Sequence, residues 1–95
     1  MYYPKSDYDH IGFEKSNRKN KKYNAIIKHK QTNKIVKVPF GSLQHENFKD
    51  STGLNLYPNL IHGDIERRRK YRARHIVYLK EGYYSPSFYS WTYLW

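Results

Sequence analysis

Apolar positions along the chain are sparse, and their grouping divides it into stretches of different texture. Residues 1–21 are polar, lack a period and run into the cationic stretch Lys15-Ser16-Asn17-Arg18-Lys19-Asn20-Lys21-Lys22. Like charges without an apolar repeat predict a flexible basic arm. Over 22–41 the pattern changes. Tyr23-Asn24-Ala25-Ile26-Ile27 alternates in part, and Ile35-Val36-Lys37-Val38 is rich in β-branched residues. Gln31-Thr32-Asn33-Lys34 lies between them, with Asn33 able to take positive φ, and the three together predict a β-hairpin. Lys28, Lys30, Lys34 and Lys37 then line one sheet face or its rim. Pro39 marks the second strand as an edge or as ending.

Residues 42–63 carry mixed signals. Ser42 can cap a short helical turn running to Phe48, broken by Asp50-Ser51-Thr52-Gly53. Leu54, Leu56, Leu60 and Ile61 between turn residues read as a packed loop. A long helix is predicted over 64–80, with Asp64 as N-cap, Glu66 at its positive end and Gly82 as the stop. Ser85-Pro86 opens a last short helix in which Phe88, Trp91 and Trp95 recur at i, i+3 and i+7, with an aromatic edge strand as the alternative. Those three aromatics either fill the core or dock on a neighbour. The fold expected is α+β: a basic arm over 1–21, then a single small domain over 22–95 built from a hairpin, a long basic helix and a short aromatic helix.

Composition narrows the function. With 95 residues the chain suits one domain. It has no run approaching the roughly 20 apolar residues of a helical membrane span. It has no Cys, so no disulfide framework. Aromatics make up 18% of the residues, including 11 Tyr, which argues against simple disorder and for an aromatic core. The first ten residues lack the apolar stretch of a signal peptide, so the chain is expected inside the cell. Lys and Arg number 18 against 8 Asp and Glu, a net charge of +10, so internal pairing cannot neutralise the cations.

The densest cationic stretch is Arg67-Arg68-Arg69-Lys70-Tyr71-Arg72-Ala73-Arg74-His75. At about 100° per residue, Ile65, Ile76 and Leu79 share one side with Arg69 and Arg72, while Arg67, Arg74, Tyr71 and Tyr78 gather roughly opposite. Cations therefore surround most of the helix. One or two of these arginines, including Arg68 or Arg72, are expected to be structural, and the others to face an external anion. The candidate polyanion- or partner-binding set is Lys19, Lys21, Lys22, Arg67, Arg69, Lys70, Tyr71 and Arg74, with Tyr71 and Tyr78 able to stack on bases. Nucleic-acid phosphate, an acidic protein surface and an anionic membrane all satisfy this chemistry.

Catalytic signals are not found. The five His match no compact metal-ligand spacing, and no phosphate-binding, dinucleotide-binding or nucleophile-elbow motif occurs. His62, Asp64 and His75 are expected as a hydrogen-bonded structural cluster rather than a metal site. No enzyme activity, cofactor or small-molecule substrate is expected.

His62-Gly63-Asp64, Arg67-Arg68, Tyr71 and Arg74-His75 form a His-x-Asp-x-x-Arg-Arg-x-x-Tyr-x-x-Arg-His pattern. With Lys21-Lys22-Tyr23, Phe40-Gly41, Asp50-Ser51-Thr52-Gly53, Ser90-Trp91 and Leu94-Trp95, it resembles a family of small basic uncharacterised proteins of large double-stranded DNA viruses of eukaryotes. The resemblance spans about residues 21–95. It implies a viral origin and a structural role in the virion, such as a minor capsid component bridging capsid protein, internal membrane or genome. It implies location in the virion and, during assembly, in the host cell. A nucleic-acid-binding protein contacting phosphate through the arm and the Arg67–Arg74 helix is the alternative.

Overall fold

Three stretches of alternating side chains build an antiparallel sheet in the computed structural model of the chain, which describes residues 3–95, Glu81 by its backbone alone. Strands β1 (Tyr8–Lys15), β2 (Lys21–His29) and β3 (Ile35–Ser42) pair in the order β1-β2-β3. The expected hairpin is β2–β3, with Tyr23 opposite Phe40, Ala25 opposite Val38 and Ile27 opposite Val36. Asn33 in its turn has φ of 61°.

β1 corrects the expectation of a flexible arm. Tyr8, His10 and Phe13 face the core, and a bulge between His10 and Gly12 shifts the phase between them. The cationic run is the β1–β2 turn. Ser16 N–H donates to Lys22 O (3.1 Å), Lys21 N–H donates to Arg18 O (3.2 Å), and Asn20 takes φ of 65°. Strand pairing on one side and aromatic burial on the other hold a segment whose charges alone suggested freedom.

The short helix expected over 42–48 does not form either. Ser42 Oγ does accept from Gln44 N–H (3.1 Å), but the chain then extends. Asn47 N–H donates to Leu60 O (2.7 Å) and His62 N–H to Asn47 O (2.9 Å), so the backbone is committed to a neighbouring strand-like segment instead.

Helix α1 (Ile65–His75) begins as predicted, the Asp64 carboxylate accepting from Glu66 and Arg67 N–H (2.9 and 3.2 Å). It tightens into a 3₁₀ segment, Ile76–Glu81, and stops at Gly82, whose φ is 91°. Ser85 caps α2 (Pro86–Tyr89), which runs on as a π-helical turn, Ser90–Leu94. Lys49 and Ser51 N–H donate to the exposed carbonyls of Leu94 and Tyr93 (3.0 and 2.9 Å), closing that end.

The core is aromatic, as the composition requires. Tyr23, Ala25, Ile27, Val38 and Phe40 from the sheet bury against Tyr84, Tyr89, Leu94 and Trp95. Leu94 comes so close to β3 that position 41 tolerates no side chain. Gly41 has φ of 76°, and a Cβ there would lie 2.9 Å from Leu94 Cδ1 and 3.3 Å from Lys22 Cβ. Gly41→Ala is therefore expected to lower stability by about 2 kcal/mol, from backbone strain plus steric clash, measurable by urea denaturation.

Candidate polyanion-binding cleft

Helix α1 does not pack through its aliphatic side. Ile65 and Ile76 remain exposed, and the packed stripe is Arg68, Tyr71, Arg72 and His75, at the i, i+3, i+4, i+7 spacing of one face. Tyr71 lies flat on Trp95 (4.2 Å between ring centres, 3° between planes). Arg68 Nε–H donates to Trp95 O (2.7 Å) with its guanidinium over Phe48, and the Arg72 guanidinium sits 4.6 Å over Trp91. Aromatic faces accept a cation where an aliphatic core would not, which is why this basic helix can pack through a stripe that carries two arginines. Arg68 and Arg72 are thus the structural arginines.

The side of α1 next to that stripe lines a cleft of about 500 Å³. Arg67, Lys70 and Arg74 form one wall. Lys21, at the start of β2, lies across from them with the loop His45–Asn47, and Ser87 and Ser90 of the C-terminal helix close the end. Five of the expected site residues therefore meet here: Lys21, Arg67, Lys70, Tyr71 and Arg74. Among the described residues no carboxylate pairs with Lys21, Lys70 or Arg74. Arg67 is different. Its Nη1 lies 2.8 Å from Glu46 Oε1, a strap joining α1 to the loop, and the guanidinium holds the Glu46 carboxyl below the ordinary carboxylate range.

Tyr71 is in the cleft but is not a stacking platform. His75 covers one face (4.0 Å, 14°) and Trp95 the other, so no base can lie on it. Burial pushes its phenol up to about 12. The ring wall is a scaffold, and the cations are the part that meets a ligand.

Three expected contact residues stand elsewhere. Lys22 is only 2% exposed; its ammonium donates to His45 O (3.0 Å) and to Asn47 Oδ1, holding the cleft loop from beneath. Those bonds occupy the Lys22 ammonium, so Lys21 and not Lys22 is open to a ligand in the cleft. Arg69 projects from the outer side, bonded through Nε and Nη2 to Glu66 (3.0 and 2.7 Å). Lys19 sits exposed in the β1–β2 turn.

The expected histidine cluster is only partly assembled. Asp64 N–H donates to His62 Nδ1 (2.8 Å), whereas His75, near the other end of α1, donates through Nδ1 to Tyr71 O (3.0 Å). Among the described residues no group of three or more His, Asp or Glu is placed to hold a metal ion. The loop residues Glu46 and Asn47 were not among the expected site residues; their role depends on a turn of chain whose partners, Arg67 and Lys22, lie about twenty residues away in either direction.

Comparison with known protein families, curated proteins and solved structures finds no match for the chain.

Proposed function

We propose that the protein is a non-enzymatic virion component of a large DNA virus whose basic cleft grips the sugar–phosphate backbone of a nucleic acid. The virion setting comes from the resemblance of residues 21–95 to the viral family. The observation that carries the binding role is the placement of Lys21 on one wall and Lys70 and Arg74 on the other, all without a carboxylate partner among the described residues. Cations converging from two walls enclose a strand of negative charge better than they match a flat acidic surface. With the faces of Tyr71 already covered, the contact rests on the cations, and cation–phosphate contacts carry no sequence information.

Such binding releases counterions, so its affinity falls steeply with salt. Titration of single-stranded DNA, duplex DNA and RNA across a salt series tests it. Each phosphate neutralised contributes about 0.7 to the log–log slope for single strands and about 0.9 for duplex. Replacing Lys21, Lys70 and Arg74 together by Ala is expected to flatten the single-strand slope by about 2. Arg69→Ala removes one charge outside the cleft and should change the slope less than any of the three. Equal effects at Arg69 and in the cleft would reduce the binding to that of any strongly basic protein, and the search would turn to an acidic capsid partner.

Glu46 supplies an opposing prediction. Its carboxylate occupies Arg67, so Glu46→Gln should free that guanidinium and strengthen strand binding by roughly threefold to tenfold. Parallel titrations of the two proteins at one salt concentration give the answer.

A further inference from the structure

We propose that the cleft takes a single strand of nucleic acid rather than a duplex, and that the strand continues past Lys21 into a second groove, where Arg18 meets it. The inference rests on the phosphate-gripping role proposed for the cleft. A second hollow, of about 310 Å³, adjoins the first, and Lys21 and Pro86 line both. Lys21 opens β2 and Pro86 opens α2, so the starts of these two elements form the saddle between the hollows. Arg18, Lys37, Pro39 and Tyr3 line the second groove.

The second groove draws its cations from segments that the cleft does not use. Arg18 belongs to the β1–β2 turn, whose backbone is tied by Ser16 N–H to Lys22 O and by Lys21 N–H to Arg18 O (3.1 and 3.2 Å), while its side chain stays exposed. Among the described residues no carboxylate pairs with Arg18. Lys37 is different. Its ammonium lies 3.1 Å from Glu14 Oε2, which also accepts from Asn24 Nδ2 (2.9 Å). Arg18 is therefore the cation that a phosphate beyond Lys21 can claim without displacing a carboxylate. From the cleft outward the cations follow in succession: Lys70 and Arg74, then Lys21, then Arg18. Pro86 and Pro39 offer apolar contact beside them, which suits one backbone and its sugars. A duplex adds a second backbone and a stack of base pairs. It is too broad for hollows of about 500 and 310 Å³ and would touch only their rims, whereas one strand enters both.

Fluorescence anisotropy with labelled oligothymidylates of about 4 and about 12 nucleotides, the range of site sizes that single-strand grooves show, tests the path. The shorter strand fills the cleft alone, and the longer one reaches Arg18. Arg18→Ala is expected to weaken the longer strand roughly threefold to fivefold at physiological salt, to flatten its log–log slope by about 0.7, and to leave the shorter strand unchanged. The turn is held by the backbone of Arg18, so the variant keeps its fold. Replacing Lys21, Lys70 and Arg74 together by Ala should weaken both lengths. A duplex of the longer length should bind more weakly than the single strand at the same salt. Two results would overturn the inference and leave the cleft's role standing: Arg18→Ala acting on both lengths alike or on neither while the triple variant weakens both, or a duplex that binds as tightly as the strand. Binding that the triple variant leaves intact at both lengths would remove the cleft from the interaction, and the path with it.

Discussion

Tyr89→Ala is expected to lose about 3–5 kcal/mol, a large share of the stability of the fold, while Tyr89→Phe folds with a modest loss. The Tyr89 ring is wholly buried at the centre of the aromatic core. Phe40 stacks on it at 5.3 Å and Tyr84 at 6.0 Å, and Phe13 and Phe88 meet it edge-on at 5.8 and 5.1 Å. Truncating such a ring removes its transfer free energy and leaves a cavity, together about 3–5 kcal/mol. A domain of this size has about 5–15 kcal/mol in all, and this one draws little from aliphatic packing. The hydroxyl is a separate and smaller matter. Burial raises the Tyr89 phenol and lowers the His10 imidazole, and the Tyr89 hydroxyl and His10 Nδ1 share a hydrogen bond at 2.9 Å. Phe deletes that bond at about 1 kcal/mol. Urea denaturation of the three proteins separates the two contributions. A loss under about 1 kcal/mol in Tyr89→Ala would mean that the ring is not the centre of the core.

The same ring explains why some elements were legible in the sequence and others were not. Hairpin β2–β3 shows its alternation and its turn residue within twenty positions, and α1 and α2 announce their starts through Asp64 and through Ser85-Pro86. Those signals are local, and local chemistry decides them. β1 is different because its inward residues Tyr8, His10 and Phe13 are out of phase until the bulge after His10 is known, and its turn is written in lysines. What orders it is Tyr89, some eighty residues away. The segment after Ser42 fails for the same reason: Ser42 can cap a turn, but pairing of Asn47 with Leu60 and His62 satisfies the backbone elsewhere.

The cleft was legible in its residue types more than in its geometry. Period and charge placed Arg67 and Arg74 on a common side of α1, and the structure puts both on one wall. The period groups Ile65 and Ile76 on one side of α1, and the structure leaves both exposed. Here the surface available to α1 is made of Phe48, Trp91 and Trp95, whose ring faces hold Arg68, Tyr71 and Arg72 more favourably, and the helix is rotated accordingly. Lys21 and Lys22 look equivalent in the sequence; what separates them is the loop His45–Asn47, which takes up the Lys22 ammonium and leaves Lys21 to the cleft.

That inward lysine makes stability depend on pH in an unusual direction. Burial lowers the Lys22 ammonium to about 8, from 10.5 in an unfolded chain, with the Asp50 and Glu46 carboxylates opposing the shift. Below pH 8 both states carry the charge and the folded state bears its desolvation. Between pH 8 and about 10.5 the folded chain has lost a proton that the unfolded chain still holds, so stability rises with pH, by up to about 1.4 kcal/mol per unit. Buried tyrosines then reverse the trend. Burial holds Tyr23 and Tyr71 at about 12, and raises Tyr84 and Tyr89 as well, against 10 in the unfolded chain. Above pH 10 the folded state keeps protons that the unfolded state has released, and each of the four subtracts up to about 1.4 kcal/mol per unit. Stability should therefore climb from pH 8, peak near pH 10 and collapse beyond it, with tyrosinate absorbance rising together with unfolding. Falling net charge would also raise stability over the first interval, and Lys22→Met distinguishes the two causes. It keeps the stem packed beside Gly41 and removes the titrating group, so the climb should flatten while the alkaline collapse remains. A climb of undiminished slope in Lys22→Met would assign it to overall charge and remove Lys22 from the explanation.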